Sequence, residues 1–259
     1  MTEPRVSRVL HHDEEVMGTI VTFDLYDDHA PTSVVHDLMR EAIEVLHDAD
    51  TMFSTYKEDS AISRLRRGEL SLVECPPQLR VVLDLCEVAK SLTEGWFDPW
   101  ALPGGVDPTG YVKGWSAQRS LDVLRQGAMC GALVNAAGDT ASFGGPQPNA
   151  AFRIGIVDPK DTKHLALVVE SPGAVATSGL YERGGHLIDP HTGRPTSRAA
   201  SATVTGTDLG LADALATALA VAGVEALPIV EGLVGYEALI IDHDGNPHAT
   251  VGFPVARTH

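Results

Sequence analysis

An acidic residue and a hydroxyl residue stand four positions apart in the segment ADALAT, residues 212–217. In a helix, positions i and i+4 share a face, so Asp213 and Thr217 would project side by side. A carboxylate and a hydroxyl are hard oxygen donors, and magnesium typically takes one or two protein carboxylates together with phosphate oxygens. An acid in the first turn of a helix, favoured by the helix dipole, beside a packed threonine is the alternative. The spacing alone leaves both interpretations open.

A histidine leads into a short apolar strand and a turn in the segment GHLIDPHTGRP, residues 185–195. Imidazole titrates near neutral pH, so His186 is suited to the role of a general base. A lone histidine also serves as an ordinary structural residue, and Asp189 is equally suited to cap the turn that follows it. Both interpretations stay open for each residue.

Aromatic residues and turn formers precede a predicted helix start within residues 96–114. Trp96-Phe97-Asp98-Pro99 comes first, and DPTGYVKG follows at residues 107–114. Aromatic side chains beside a helix N-terminus suit a flat heterocycle with an anionic tail. A plain loop rich in proline and glycine is the alternative.

Two further segments, Met17-Gly18-Thr19 and FSTY at residues 53–56, join the candidates. Met17 and Tyr56, taken singly, are more typical of a protein core than of a ligand site. The familiar nucleotide and hydrolase motifs are absent, since no G-x-G-x-x-G follows a strand and no G-x-x-x-x-G-K-[ST], G-x-S-x-G or H-E-x-x-H occurs.

Hydrophobic periodicity predicts the elements that must hold these residues. Residues 5–27 read as a strand pair, and helices are predicted over residues 31–52, 59–67, 76–95, 111–126 and 208–222. Further strands are predicted over residues 132–135, 152–157, 165–170, 174–177, 202–205 and 238–241. The pattern indicates an α+β fold, a mostly antiparallel sheet with helices packed against it.

Composition limits the classes of partner and location. The formal net charge is -16, and such a surface repels phosphate backbones, so no nucleic-acid partner is expected. The start of the chain lacks a signal-peptide pattern, and no apolar run reaches the roughly 20 residues of a membrane span. The three cysteines lack C-x-x-C spacing and read as reduced thiols. We therefore expect a cytoplasmic protein without membrane insertion.

In this order along the chain, the segments resemble the FAD:protein FMN transferase family, also called the ApbE family. The segments that carry the resemblance are Met17-Gly18-Thr19, Ser54-Thr55-Tyr56 with Asp59-Ser60, Phe97-Asp98-Pro99, residues 107–114, Asn135 with Gly138-Asp139, Ala176-Thr177-Ser178-Gly179, residues 186–190 with Thr192-Gly193, and residues 212–217.

The resemblance implies one flavin transferase domain over residues 1–259, with two closely joined lobes and FAD in the cleft between them. It implies a magnesium ion at the FAD diphosphate and transfer of FMN, through a phosphodiester, to a threonine or serine of a target flavoprotein, with AMP leaving. The metal would be held by the Gly110 carbonyl, Asp213 and Thr217, and His186 would be the catalytic base. The residues expected to line the FAD site are Met17, Tyr56, Trp96, Phe97, Asp98, Asp107, Lys113 and Ile188.

The sequence departs from the family pattern in two loops, and at Ala216, where some family members carry an acid. Family members usually carry several dozen residues between the F-D-P motif and the following acid, whereas seven separate Pro99 from Asp107 here, which makes this a shortened member. The asparagine loop usually has two glycines before its acid, and here it reads NAAGD at residues 135–139. Two other functions remain compatible with the sequence: an FAD diphosphatase that uses water as acceptor, and a non-catalytic flavin-binding protein.

Overall fold

The computed structural model of the chain describes residues 8–27, 31–102, 104–147, 150–171, 173–179, 187–196 and 198–256. The helices are α1 (Thr32–Phe53), α2 (Ala61–Arg66), α3 (Pro77–Leu92), α4 (Thr109–Leu124), α5 (Leu209–Ala222) and α6 (Leu227–Glu231). The strands are β1 (Arg8–Val16), β2 (Thr19–Asp27), β3 (Gly131–Ala136), β4 (Asp139–Gly144), β5 (Arg153–Asp158), β6 (Asp161–Glu170), β7 (Ala174–Gly179), β8 (Ile188–Asp189), β9 (Arg194–Pro195), β10 (Ser201–Gly206), β11 (Glu237–Ile241) and β12 (Pro247–Ala249).

Eight of these strands form one antiparallel sheet in the order β1-β2-β3-β4-β7-β10-β11-β12. The β1–β2 and β3–β4 hairpins each turn through two residues, Met17-Gly18 and Ala137-Gly138. All four of those residues have positive φ, as tight hairpin turns of this length require. Because Val21 near the start of β2 pairs with Ala136 at the end of β3, both turns lie at the same end of the sheet.

Helices α4 and α5 approach closely because glycines stand at their contact. A β-carbon built on Gly114 would lie 2.4 Å from the Leu209 carbonyl oxygen, and one built on Gly210 would lie 2.9 Å from Tyr111 Cε1. Only glycine leaves room for such an approach of backbones. Helix α5 is buried along almost its whole length, so the candidate pair Asp213 and Thr217 lies on a central element of the fold.

Two hydrophobic clusters meet in this region. The larger joins the sheet to α1, α4 and α5, and the smaller joins α2, α3 and the end of α1 to the segment that leads into α4. Trp96 and Leu211 are partly buried against both clusters. Trp96, one of the expected FAD contacts, therefore lies at the boundary between two packed regions.

The structure confirms the predicted α+β class, with a large antiparallel sheet and packed helices. It corrects the sequence analysis in several places: β4, β12 and α6 form where no element was predicted, and α4 begins at Thr109 instead of Tyr111. No helix in the described parts of the chain has both the length and the apolar character to cross a membrane.

Candidate functional site

The α4–α5 contact brings together the three residues expected to hold a metal ion. Gly110 faces Thr217, since a β-carbon built on Gly110 would lie 3.8 Å from Thr217 Oγ1. Asp213 lies one helical turn before Thr217, is buried, and has its β-carbon beside the backbone of Gly114. The Ser178 hydroxyl, at the end of β7, lies 3.3 Å from Thr217 Oγ1. One acidic residue, two hydroxyl residues and the first turn of α4 thus lie together.

Met17 reaches this region from the β1–β2 turn. Its φ is 54°, a left-handed conformation that non-glycine residues rarely adopt and that functional sites often contain. The Ser116 hydroxyl lies 3.7 Å from the Met17 sulfur and donates to the Lys113 carbonyl at 3.0 Å. The turn is therefore tied to the middle of α4.

Lys113 pairs with a buried carboxylate. Its Nζ lies 2.5 Å from Asp139 Oδ2, and the Asp139 side chain is 0% exposed. Asp139 is the first residue of β4, directly after the second tight turn, and its Oδ1 accepts the Thr177 backbone N–H at 2.9 Å. The pair links α4, β4 and β7 at the end of the sheet where Met17 lies.

The aromatic segment borders the same contact. Phe97 is buried, and its Cε2 would lie 3.3 Å from a β-carbon on Gly110. The Trp96 ring meets His191 edge-on at a centroid distance of 4.5 Å, and the Arg198 guanidinium lies 5.2 Å from the Trp96 centroid. Trp96 thus sits between one cation and one imidazole, which fits a binding surface as well as a packing role.

Asp98 and Asp107 both cap helical segments. Asp98 accepts the Trp100 backbone N–H at 2.9 Å and pairs with Lys90 at 2.9 Å. Asp107 accepts the Thr109 backbone N–H at 3.1 Å, at the start of α4, and lies 3.8 Å from the Arg66 guanidinium. Arg66 also donates to the Gly104 carbonyl at 2.9 Å, so it holds the shortened segment against α2.

The remaining expected residues lie apart from this group or outside the described chain. Tyr56 is 92% exposed in the turn between α1 and α2. Ile188 is partly buried and pairs with Pro195 in the β8–β9 ribbon. His186, the expected catalytic base, lies outside the described residues.

The structure decides the role of Asp189. Its Oδ1 accepts the His191 backbone N–H at 2.8 Å, as a turn-capping acid does. Desolvation raises the pKa of Asp189, but hydrogen bonds from the His191 backbone and from Thr192 outweigh it and lower that pKa below its ordinary value. These hydrogen bonds assign Asp189 to the turn.

Several contacts of the site could not be predicted from the sequence. Ser116, Asp139 and Ser178 lie in or beside the segments that carry chemistry, but their partners are distant in sequence: Met17, Lys113 and Thr217. Only the contact between Ser116 and the Lys113 carbonyl has a signal in the sequence, because the two residues are three positions apart on α4. No spacing rule connects Lys113 with Asp139.

Two surface cavities lie elsewhere, and none of the residues expected to bind FAD or metal lines them. One, of about 300 Å³, lies between α3, α4 and the start of α5 and includes Trp115 and Arg119. The other, of about 360 Å³, lies between β1 and α1 and includes His11, His12 and His36. Among the described residues, no three histidine, cysteine, aspartate or glutamate side chains cluster in a way that could hold a metal ion.

The sequence matches the ApbE family over residues 17–105 and 103–240. The two matched parts meet at residues 103–105, between Pro99 and Asp107, where the chain is shorter than the family pattern. The break therefore falls on the segment that Arg66 holds.

Curated relatives carry the name FAD:protein FMN transferase. The protein from Rhodobacter capsulatus is 36% identical over 157 residues, which cover 56% of this chain and 29% of that protein. The protein from Vibrio cholerae is 34% identical over 131 residues, which cover 46% of this chain and 39% of that protein. The matches thus span well under half the length of these two relatives. The protein from Treponema pallidum is 33% identical over 312 residues, which cover 92% of this chain and 86% of that protein.

Solved structures share the fold. A flavin transferase ApbE from Vibrio cholerae superposes with a TM-score of 0.83 at 24% identity, covering 95% of this chain and 98% of that one. An ApbE protein from Thermotoga maritima superposes with a TM-score of 0.82 at 21% identity, covering 94% and 97%.

Proposed function

The chain belongs to the ApbE family, and we propose that it transfers the FMN half of FAD to a threonine or serine hydroxyl of a target flavoprotein in a magnesium-dependent reaction that releases AMP. The observation that carries the proposal is the convergence at the α4–α5 contact. Residues from β1–β2, the segment before α4, β4, β7 and α5 meet there, and they include most of the residues that the family resemblance assigns to FAD and metal.

The donors at the contact fit a magnesium ion. Asp213 would supply the one carboxylate, Thr217 a hydroxyl, and Gly110 its carbonyl, whose second lone pair is not used by the helix. A site with so few protein ligands suits an ion that keeps phosphate and water oxygens, which is how magnesium is usually bound. When bound, the ion would neutralise the FAD diphosphate and the departing AMP.

The flavin half would lie against the apolar side of the same group. Trp96, Phe97 and Met17 offer aromatic and thioether surface of the kind that stacks on a flat heterocycle. Lys113 is placed one turn beyond Gly110 on α4, so an anionic tail near Gly110 would lie within reach of its ammonium. Aromatic contact and a cation on one helix face would hold the isoalloxazine ring and the diphosphate of FAD.

The transfer step itself would use the acceptor hydroxyl. Its oxygen would bond to the phosphorus of the FMN half while the bond from that phosphorus to the oxygen kept by AMP breaks. His186, assigned by the sequence, would take the hydroxyl proton, because a base in hydrogen-bond reach of the nucleophile lowers the barrier to attack. The product is a phosphodiester between FMN and the acceptor protein.

One incubation distinguishes this function from its alternatives. The protein is mixed with FAD, magnesium and a flavoprotein acceptor that an established family member modifies. Transfer predicts fluorescent flavin that stays on the acceptor in a denaturing gel, with AMP formed in equal amount. Free FMN with AMP and no labelled acceptor would instead identify an FAD diphosphatase, and bound but unchanged FAD would identify a flavin-binding protein.

A further inference from the structure

Asp139 is a fully buried carboxylate at the edge of the candidate site. One of its oxygens lies 2.5 Å from Lys113 Nζ, and the other accepts the Thr177 backbone N–H at 2.9 Å. A buried carboxylate is costly unless it is paired and hydrogen-bonded, and here one oxygen accepts a hydrogen bond while the other is ion-paired with the lysine ammonium. The buried Asp139 carboxylate thus fixes the position of the Lys113 ammonium.

The backbone around Asp139 fixes its position. Asp139 follows the two-residue β3–β4 turn, in which Ala137 and Gly138 have φ values of 53° and 100°. The Asn135 side chain accepts the Gly138 N–H at 2.8 Å and so holds the turn closed. A carboxylate anchored by a tight turn and by β7 has little freedom to move. The position of the carboxylate therefore determines where the Lys113 ammonium lies.

Lys113 is held on the face of α4 that carries the other site residues. It lies three positions after Gly110, and its carbonyl accepts from the Ser116 hydroxyl that contacts Met17. Its side chain is 21% exposed, whereas Asp139 is 0% exposed, so the ammonium lies between the buried carboxylate and the accessible surface. An ammonium has three N–H donors, so it can pair with a carboxylate and also donate to a ligand oxygen.

We propose, on the basis of the proposed flavin transfer, that Asp139 is a positioning residue: it aims the Lys113 ammonium at the FAD diphosphate and acts on FAD only through Lys113. It touches neither FAD nor the reacting atoms. Its loss therefore weakens FAD binding and leaves the rate at saturating FAD largely intact.

The test is a double-mutant cycle with Lys113→Met, Asp139→Asn and the double variant. Asparagine can keep the hydrogen bond from Thr177, but its amide donor faces the ammonium and displaces it. Asp139→Asn should raise the KM for FAD by about tenfold, the scale of one charge-assisted hydrogen bond, with kcat changed less than about twofold. In the Lys113→Met background the same substitution should leave the KM almost unchanged, because the residue through which it acts is gone.

Stability provides a second measurement that needs no turnover. Lys113→Met leaves Asp139 buried without its cation, so its thermal midpoint should fall, and the double variant should recover part of the loss because it removes the buried charge. Asp37→Asn is the matched control: Asp37 pairs with Arg40 on the surface of α1, with both side chains more than 60% exposed, and should change neither quantity.

The outcomes separate this inference from the proposed function. If the loss of FAD affinity in the double variant equals the product of the losses in the two single variants, the positioning role is overturned. Tighter FAD binding by Asp139→Asn would overturn it as well. FAD affinity is also measured by quenching of flavin fluorescence, so the cycle can be completed without turnover. Coupling in affinity without any FMN transfer by the wild-type protein would support the role of Asp139 and reject the transferase function.

Discussion

His186 and Asp213 carry different parts of the proposed reaction, so their variants should fail in different ways. A base acts on the acceptor hydroxyl during attack, whereas a metal ligand acts on the ion that binds with FAD. Comparison of the two variants therefore separates the proton transfer from the handling of the diphosphate.

His186→Asn should reduce FMN transfer by about 10²–10⁴-fold, the usual contribution of general-base catalysis, with FAD affinity little changed. Transfer rate, FAD affinity and thermal midpoint are measured on the same variant. His164→Asn is a matched control, because His164 is 74% exposed on β6 and pairs there with Asp161, whose side chain is also exposed. Normal transfer by His186→Asn would remove His186 from the mechanism, and early melting would make it a structural residue.

Asp213→Asn should raise the magnesium concentration needed for half-maximal transfer by at least about tenfold, a loss seen even for residues that only support a metal ligand. Asp213 is the only carboxylate among the proposed ligands, so it supplies most of the protein's electrostatic attraction for the ion. Magnesium titration of the rate and of the thermal midpoint checks this. Asp122→Asn, on the exposed face of α4, is the control. An unchanged magnesium requirement for Asp213→Asn would place the metal elsewhere.

At this scale the sequence predicts residue types well and contacts poorly. Asp213 and Thr217 are four positions apart in the sequence, so helix geometry alone predicted that they share a face. The pairing of Lys113 with Asp139 depends on where β4 lies relative to α4, which no local pattern encodes. The turn residues after Asp189 predicted that it caps the turn, and its hydrogen bond from the His191 backbone N–H confirms that role.

At the scale of elements, the β3–β4 turn holds a strained residue. Ala137 has a φ of 53°, at the loop where the family pattern usually has two glycines before the acid. A left-handed conformation costs an alanine about 1–2 kcal/mol, and glycine escapes that cost but loses more entropy on folding.

Ala137→Gly should therefore raise the free energy of unfolding by about 0.5–1 kcal/mol, the difference between those two effects. Urea unfolding measures it. Ala151→Gly is the control: Ala151 is exposed, outside any helix or strand, and does not have positive φ, so its replacement should lower stability slightly. Destabilisation by Ala137→Gly would show that the turn is not strained.

At the α4–α5 contact, the replacement of a glycine should lower stability. Gly114→Ala would place a β-carbon 2.4 Å from the Leu209 carbonyl oxygen and 3.2 Å from Asp213 Cβ. The helices must separate, at a cost of about 1–3 kcal/mol in the free energy of unfolding, and FAD binding should weaken because Asp213 moves. Gly232→Ala, whose nearest neighbour would be 3.6 Å away, is the control. An unaltered midpoint for Gly114→Ala would mean that the helices do not depend on this close approach.

Elements with strong periodicity were predicted, and elements defined by their neighbours were not. The stripe of α1 and the small-residue helix α5 followed from pattern, and both are present. Strand β4, with the sequence DTASFG, has only two apolar residues, Ala141 and Phe143, and it is a strand because β3 and β7 pair with it on both sides. Context overrides propensity most easily in such short, polar segments.

At the scale of the whole molecule, the net charge of -16 opposes the approach of an anionic dinucleotide, so attraction must be local. Lys113 shares its charge with Asp139, and the pair is neutral as a unit. A magnesium ion bound with FAD would then supply most of the positive field, which makes the proposed metal dependence a consequence of charge balance.

The long-range arrangement is what the sequence could not supply. Strand β2 pairs with β3 more than a hundred residues later, and β4 pairs with β7 across the inserted β5–β6 hairpin. Such pairings bring Met17, Lys113 and Asp139 to one end of the sheet. The sequence alone identifies the candidate residues, whereas the strand topology brings them close together in space.

The intact mass of the acceptor protein tests the central claim most directly. After incubation with FAD and magnesium, the acceptor should gain the mass of FMN less one water, and an acceptor whose modified threonine or serine is replaced by valine or alanine should gain nothing. Omission of magnesium and the Asp213→Asn variant should each suppress the gain. An acceptor of unchanged mass, under conditions in which an established family member modifies it fully, would contradict the assignment of FMN transfer to this chain.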